Sequence, residues 1–271
     1  MRIFLFLPIG QSKEKMNTFD LRNKVIVITG GTGHLGNAIA KSLSLHNATV
    51  YSLGRELRAF EKAFGTDTIV KYLNLDLSST LSISSAFSEV VRIEGKIDVL
   101  INNGFYSRGQ SPEEMSDKDF LFGIEGTLSS TFKCIREIIP YFKSQSSGKI
   151  INVSSMYGLV APDFDVYQNS PQYLNPPHYG AAKAGIIQLT KYYASYLGQF
   201  GVQVNAVTPG PFPSYKVQKD KEFIKQLSGK TLLGRIGKPE DLVGVFILLA
   251  SDASNFITGQ NIIVDGGWTV R

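Results

Sequence analysis

The 271 residues include one cysteine, one tryptophan and three histidines. A lone cysteine, Cys134, excludes an intrachain disulfide and a multi-cysteine metal site. Nothing therefore points to an oxidising compartment, and a cytoplasmic location is expected. Cys134 falls in an apolar helical pattern, where a buried structural thiol is expected rather than a nucleophile. His34, His46 and His178 lack the spacing of zinc or iron ligands. No apolar run is long enough for a membrane span: the stretch 3–7 is stopped by Pro8 and Gly10. It also lacks the longer apolar core and cleavage site of a signal peptide. Charge of one sign is scarce too. The net charge is +5, and Arg2, Lys13 and Lys15 against Glu14 carry two of those charges. That excess is too weak to suggest a nucleic-acid partner. Neither internal repeats nor low-complexity linkers occur, so residues 20–271 are read as one domain and 1–19 as a non-core extension. Met16 is a second candidate start codon.

Forty-three per cent hydrophobic residues and 26 glycines are what a well-cored chain with many tight turns requires. Residues 24–29 (KVIVIT) are a β-branched run of the kind that forms a buried parallel strand. Similar runs occupy 49–53, 69–73, 97–101, 149–153, 202–207 and 261–264. Helical patterns lie at 33–45, 57–64, 81–94, 115–143, 179–199 and 239–250. Strands alternating with helices imply crossover units, hence an α/β fold: a doubly wound parallel sheet of Rossmann type with helices on both faces. Its ligand is expected at the carboxyl ends of the strands.

The first strand leads directly into Gly31-x-Gly33-x-x-Gly36 and a helix. Glycines there let the backbone approach a pyrophosphate that sits on free helix amides. At the end of the second strand, an acidic residue would hold a ribose hydroxyl and an arginine a 2′-phosphate. The residues are Gly54, Arg55 and Glu56, with Arg58 beyond. Arginine at 55 favours NADP(H) over NAD(H), and Glu56 pulls the other way. Farther on, Tyr179 and Lys183 are spaced i, i+4 and so share a helix face. A cation beside a phenol lowers its pKa, which would fit Tyr179 for proton exchange near neutral pH. Ser154-Ser155 ends the strand before them. Lys216, Lys219, Lys221, Lys225 and Lys230 cluster nearby, as a solvated helix face or as a means of attracting an anionic substrate.

Seven motifs in one order give the chain its resemblance to the single-domain short-chain dehydrogenases/reductases over residues 20–271. They are Thr29-Gly-Gly-Thr-Gly-His-Leu-Gly36, Asp76-Leu77, Asn102-Asn103-Gly104, Val153-Ser-Ser155, Tyr179-x-x-x-Lys183, Asn205-Ala-Val-Thr-Pro-Gly210 and Val264-Asp-Gly-Gly267. The resemblance implies an NAD(P)-dependent oxidoreductase interconverting a secondary alcohol and a ketone. It makes Tyr179 the general acid/base, Lys183 its pKa-lowering partner and ribose contact, and Ser155 the holder of the substrate oxygen. The cofactor would be bound by Gly30, Thr32, Gly33, Leu35, Gly36, Arg55, Asp76, Leu77, Asn103, Gly104, Pro209, Gly210 and Ser214, together with Tyr179 and Lys183.

Three departures from the family pattern stand out. His34 replaces the middle glycine of the turn. Thr127 stands where a tetrad asparagine is usual. A polar insertion, 162–177, separates Ser155 from Tyr179. Its Asp163, Asp165, Gln168, Asn169, Gln172, Asn175, Tyr167 and Tyr173 could contact a hydroxyl-rich substrate, or could be no more than a solvated loop. The insertion and the C-terminal Asp-Gly-Gly-Trp-Thr-Val-Arg resemble the branch of flagellin-glycan and sialic-acid-like sugar pathways, with a gluconate-dehydrogenase-like enzyme as the neighbouring option. A sugar, sugar acid or sugar nucleotide is the expected substrate, and a homodimer or homotetramer the expected assembly. Two other readings remain. One is a catalytically silent nicotinamide-binding regulator or scaffold. The other is a sugar-nucleotide epimerase or dehydratase, which usually carries a further substrate domain.

Overall fold

The structure, a computed structural model, describes residues 17–109 and 111–270. Its strands are β1 Val25–Thr29, β2 Thr49–Gly54, β3 Lys71–Asn74, β4 Val99–Asn102, β5 Gly148–Val153, β6 Val202–Pro209 and β7 Asn261–Val264. All pair in parallel in one sheet of order β3-β2-β1-β4-β5-β6-β7. The helices are α1 His34–Leu45, α2 Leu57–Phe64, α3 Thr80–Glu94, α4 Asp117–Ile124, α5 Ser130–Gln145, α6 Pro177–Leu197, α7 Lys221–Lys230 and α8 Val243–Ala250.

Side chains alternate across each strand and build a core on either face. Val25, Val27, Leu100 and Ile150 join the core beneath α3, α5 and α6. Ile26, Ile28, Val99, Ile101 and Ile151 join the opposite one, beneath α1 and α8. Burial on both faces explains why these strands read as unbroken apolar runs. The chain leaves β1 toward β2 on one side and β4 on the other, so a crevice opens at the carboxyl end of β1.

Two local structures differ from the sequence reading. The helix expected over 115–143 is interrupted by a π turn, Glu125–Ser129, between α4 and α5. Helix α7 was absent from the helical patterns, because its buried residues are only Phe223 and Leu227 among lysines. Asp220 starts it by accepting from the Phe223 amide at 3.1 Å. The expectation for 1–19 falls mostly outside the described residues. Residues 17–19 are exposed, whereas Leu21 is wholly buried. Among the described residues no helix is long and apolar enough to cross a membrane, and no cluster of His, Cys, Asp or Glu could hold a metal. Cys134 is buried, which pushes its thiol up to about 12.

Candidate active site

The crevice is a cavity of about 550 Å³ lined by the glycine turn, the ends of β2, β4, β5 and β6, and the start of α6. At its floor Gly30 adopts φ +63°, and a Cβ there would lie 2.6 Å from the Cα of Gly104. Gly36 meets the carbonyl of Gly30 so closely that a Cβ would clash with it and lie 2.8 Å from Asn103 Nδ2. Thr29 Oγ1 accepts from the amides of Asn103 at 3.1 Å and Gly104 at 3.0 Å, while Asn103 Nδ2 donates to the carbonyls of Thr29 and Gly30. The bare backbone of the turn is thus held open in front of the N-terminus of α1, whose N-cap is Gly33. Such a cradle of small residues and free amides fits a dinucleotide diphosphate.

Every cofactor residue expected from the sequence lines this cavity: Gly30, Thr32, Gly33, Leu35, Gly36, Arg55, Asp76, Leu77, Asn103, Gly104, Tyr179, Lys183, Pro209, Gly210 and Ser214. Glu56 lines it beside Arg55. Asp76 is held below the usual carboxylate range, first by the Ser78 amide and then by the Ser78 hydroxyl, with Arg55 adding to both. Tyr106 also lines the cavity, and its hydroxyl is buried without a partner.

Ser155, Tyr179 and Lys183 meet at one end. Ser155 follows β5 and caps a short 3-10 turn, Met156–Gly158, by accepting from the Tyr157 amide at 3.2 Å. Tyr179 keeps part of its surface open to the cavity. Its phenol is pushed above the usual tyrosine range by burial, against a hydrogen bond with Ser155 that acts the other way. Lys183 is 3% exposed, and its amine donates to the Val153 carbonyl at 2.8 Å. Burial without an ionic partner drops that amine to about 7.

Here the sequence expectation needs correcting. The i, i+4 spacing does put the two side chains together, with Lys183 Nζ 5.7 Å from the Tyr179 ring centroid. The phenol nevertheless lies above its ordinary value, because loss of water on burial outweighs the lowering by the Ser155 hydrogen bond, and no lowering by Lys183 offsets it.

The residue before the tyrosine is structural. His178 is wholly buried, its Nε2 lies 3.0 Å from the Arg108 carbonyl, and its ring fills the space left by Gly123. Thr127 sits in the π turn with its hydroxyl buried and unpartnered.

The insertion behaves otherwise than its polarity suggests, since none of the residues lining the cavity comes from 162–177. Asp163 pairs with Lys230 at 2.5 Å, and Gln168 Nε2 donates to Asp165 at 3.0 Å. Asn175 donates to the Tyr167 hydroxyl at 3.1 Å, and that hydroxyl lies 2.6 Å from the one on Tyr157. Val166 and Tyr167 join Met156, Tyr157, Phe223, Leu227 and Trp268 in a third core. The segment props α7 beside the site. Lys230 apart, the cluster's lysines have no ionic partner among the described residues.

Sequence reasoning missed a line of amides behind the site. Asn102 Nδ2 donates to Asn152 Oδ1 at 2.8 Å, and Asn152 Nδ2 donates to Thr190 Oγ1 at 2.9 Å. A polar residue interrupting each of two apolar strands was the available signal. Phe105 was missed as well. Its half-exposed ring lies 5.8 Å from that of Tyr179 and 5.3 Å from Lys183 Nζ.

Comparison with known proteins matches residues 32–269 to a family model described as enoyl-(acyl carrier protein) reductase. The chain is 32% identical over 255 residues to the 3-oxoacyl-[acyl-carrier-protein] reductase of Thermotoga maritima, covering 92% of this chain and 99% of that protein. It superposes with TM-score 0.81 on a short-chain dehydrogenase from Leptospira borgpetersenii solved with NAD+, at 27% identity, covering 99% of this chain and 100% of the other. A gluconate 5-dehydrogenase from Burkholderia cenocepacia, solved with NADP and tartrate, gives TM-score 0.82 at 25% identity, covering 94% and 98%.

Proposed function

The chain belongs to the short-chain dehydrogenase/reductase family, and on that premise we propose that it interconverts a secondary alcohol and a ketone on a sugar, sugar acid or sugar nucleotide, with NADP(H) preferred. An oxidoreductase acting on a secondary alcohol or ketone follows from the family. The observation that carries the assignment to this cavity is the meeting of Ser155, Tyr179 and Lys183 at one end of a glycine-floored cleft.

Bound nicotinamide would supply or accept the hydride. The chain's residues do the rest. The amides at the start of α1, with Gly30, Thr32, Gly33, Leu35 and Gly36, would hold the diphosphate. Asp76 and Leu77 would flank the adenine, and Pro209, Gly210 and Ser214 the carboxamide end. Arg55 would take a 2′-phosphate through its fork of donors, which supports NADP(H) despite Glu56. Ser155 would hold the substrate oxygen against the Tyr179 hydroxyl, which gives that oxygen a proton during reduction and takes it back during oxidation. A phenol raised by burial is suited to holding its proton until an oxyanion develops beside it. The Lys183 ammonium would then favour the phenolate left behind. Thr127, whose hydroxyl is buried and unpartnered, would hold a water that continues the relay.

An acidic substrate is consistent with the Burkholderia enzyme having been solved with NADP and tartrate, and with the lysines of α7, which stand outside the cavity lining and would act through their field on an approaching anion. A cytoplasmic homodimer or homotetramer completes this reading. A screen of ketones spanning keto-sugars, keto-acids, steroids and acyl thioesters, with NADPH and NADH in parallel, tests it. Turnover confined to steroids or acyl thioesters would reject the substrate class.

A further inference from the structure

His34 is the first residue of α1 and lines the cavity between Gly33 and Leu35, at the turn that would carry the diphosphate. Its Nε2 is buried and has no hydrogen-bond partner. Its ring meets that of Tyr215 edge-on, with centroids 4.8 Å apart and planes at 87°. Tyr215 belongs to the segment between β6 and α7 and immediately follows Ser214, which lines the same cavity. The ring contact therefore ties the glycine turn to the segment between β6 and α7, whose Ser214 lines the cavity. We propose that His34 and Tyr215 form a clasp over the diphosphate position, in which the imidazole supplies a phosphate contact beyond the backbone amides of α1. The proposal rests on the dinucleotide reading of the cleft.

Several features favour an imidazole that stays neutral until an anion arrives. An orphaned ring nitrogen is costly to bury and gains by acquiring an acceptor. A helix N-terminus repels a cation and attracts an anion. Burial holds His34 below its ordinary value, with Glu240 pulling weakly the other way. Glu240 lies on the 3-10 turn Pro239–Leu242, which packs on α1. On that same turn Asp241 is occupied by Arg235, and Lys238 precedes it. Helix α8, also packed on α1, reads VGVFILLA and carries no titratable side chain. Strand β2, also packed on α1, carries Tyr51, which lies in the opposite core with its hydroxyl on Glu94. Tyr215 meets the ring directly, and Lys41 is the titratable residue within α1 besides His34.

A bound diphosphate reverses the balance, because two negative phosphates stabilise the imidazolium. Binding then takes up a proton. Affinity is greatest below the free-state midpoint and falls as pH rises toward the bound-state one, by at most about tenfold per pH unit.

The test is a fluorescence titration with NADH, which lacks the titrating 2′-phosphate, between about pH 6 and pH 8. It is paired with NMR of the His34 ring proton, assigned by its loss in His34→Gln. In the wild type, affinity should fall about threefold to tenfold across that range, and the His34 midpoint should rise on NADH binding. His34→Gln should bind NADH with little pH dependence. In Tyr215→Ala the free-state midpoint should move up toward the ordinary histidine value, since the covering ring is gone. Equal pH dependence in wild type and His34→Gln, or a His34 midpoint unmoved by NADH, would overturn the proposal while leaving the dinucleotide site standing. Failure of the wild type to bind either NADH or NADPH at any pH would remove the site and this clasp with it.

Discussion

Lys183 donates from its amine to the carbonyl of Val153 at 2.8 Å and forms no ion pair among the described residues. The ring of Phe105 covers it from 5.3 Å, yet such a cation–π contact is worth only about 1–2 kcal/mol. The fall of the amine to about 7 from its ordinary 10.5 corresponds to roughly 5 kcal/mol, so burial wins. Below pH 7 the folded protein bears the full cost of a buried cation. Between about 7 and 10.5 the unfolded chain binds the extra proton, and stability rises with pH. Wild type should therefore gain on Lys183→Met by up to about 1.4 kcal/mol per pH unit across that window. Urea midpoints of both proteins at several pH values measure this, and a constant difference would contradict it.

Gly123 leaves room for the His178 ring, and a Cβ there would lie 2.5 Å from its Cγ. Because His178 is tied to the Arg108 carbonyl, it has little freedom to retreat. Gly123→Ala should cost about 1–3 kcal/mol in denaturant unfolding. It should also lower turnover by displacing Tyr179, while NADH binding persists.

The turn is less forgiving. A Cβ on Gly36 would strike the Gly30 carbonyl and lie 2.9 Å from the Cα of Gly31. Gly36→Ala should weaken dinucleotide binding at least about tenfold. Isothermal titration with NADPH and NADH checks it, and unchanged affinity for both would place the nucleotide elsewhere.

Two contacts of the 162–177 segment should differ in worth. Tyr167→Phe strips partners from the Tyr157 hydroxyl and Asn175 inside a core, and should cost about 1–3 kcal/mol. The Asp163–Lys230 pair is over a third exposed at each end, so Asp163→Asn should cost less than about 1 kcal/mol. Chemical denaturation of both variants gives the comparison.

The succession of strands and helices along the chain and the glycine turn were legible because both are local. β-branched runs such as 24–29 declare buried strands, and Gly31, Gly33 and Gly36 declare a backbone that must come close to something. Tyr179 and Lys183 were legible as neighbours from helix spacing alone. Their protonation was not, since it depends on how deeply the fold buries them. The 162–177 segment misled for a related reason. Asp163, Asp165 and Asn175 look like substrate ligands in a sequence, but each spends its polarity on Lys230, Gln168 or Tyr167, partners that only the folded chain reveals. The pairing of Asn152 with Thr190 was not legible because their hydrogen bond spans 38 positions.

Transfer of deuterium from C4-deuterated NADPH to a keto-sugar, followed by mass spectrometry of the alcohol formed, tests the central claim most directly. Hydride transfer at this site predicts one deuterium on the new carbinol carbon with wild type. It predicts none with Tyr179→Phe, even though that variant still binds NADPH. Label appearing at the wild-type rate with Tyr179→Phe would contradict the account.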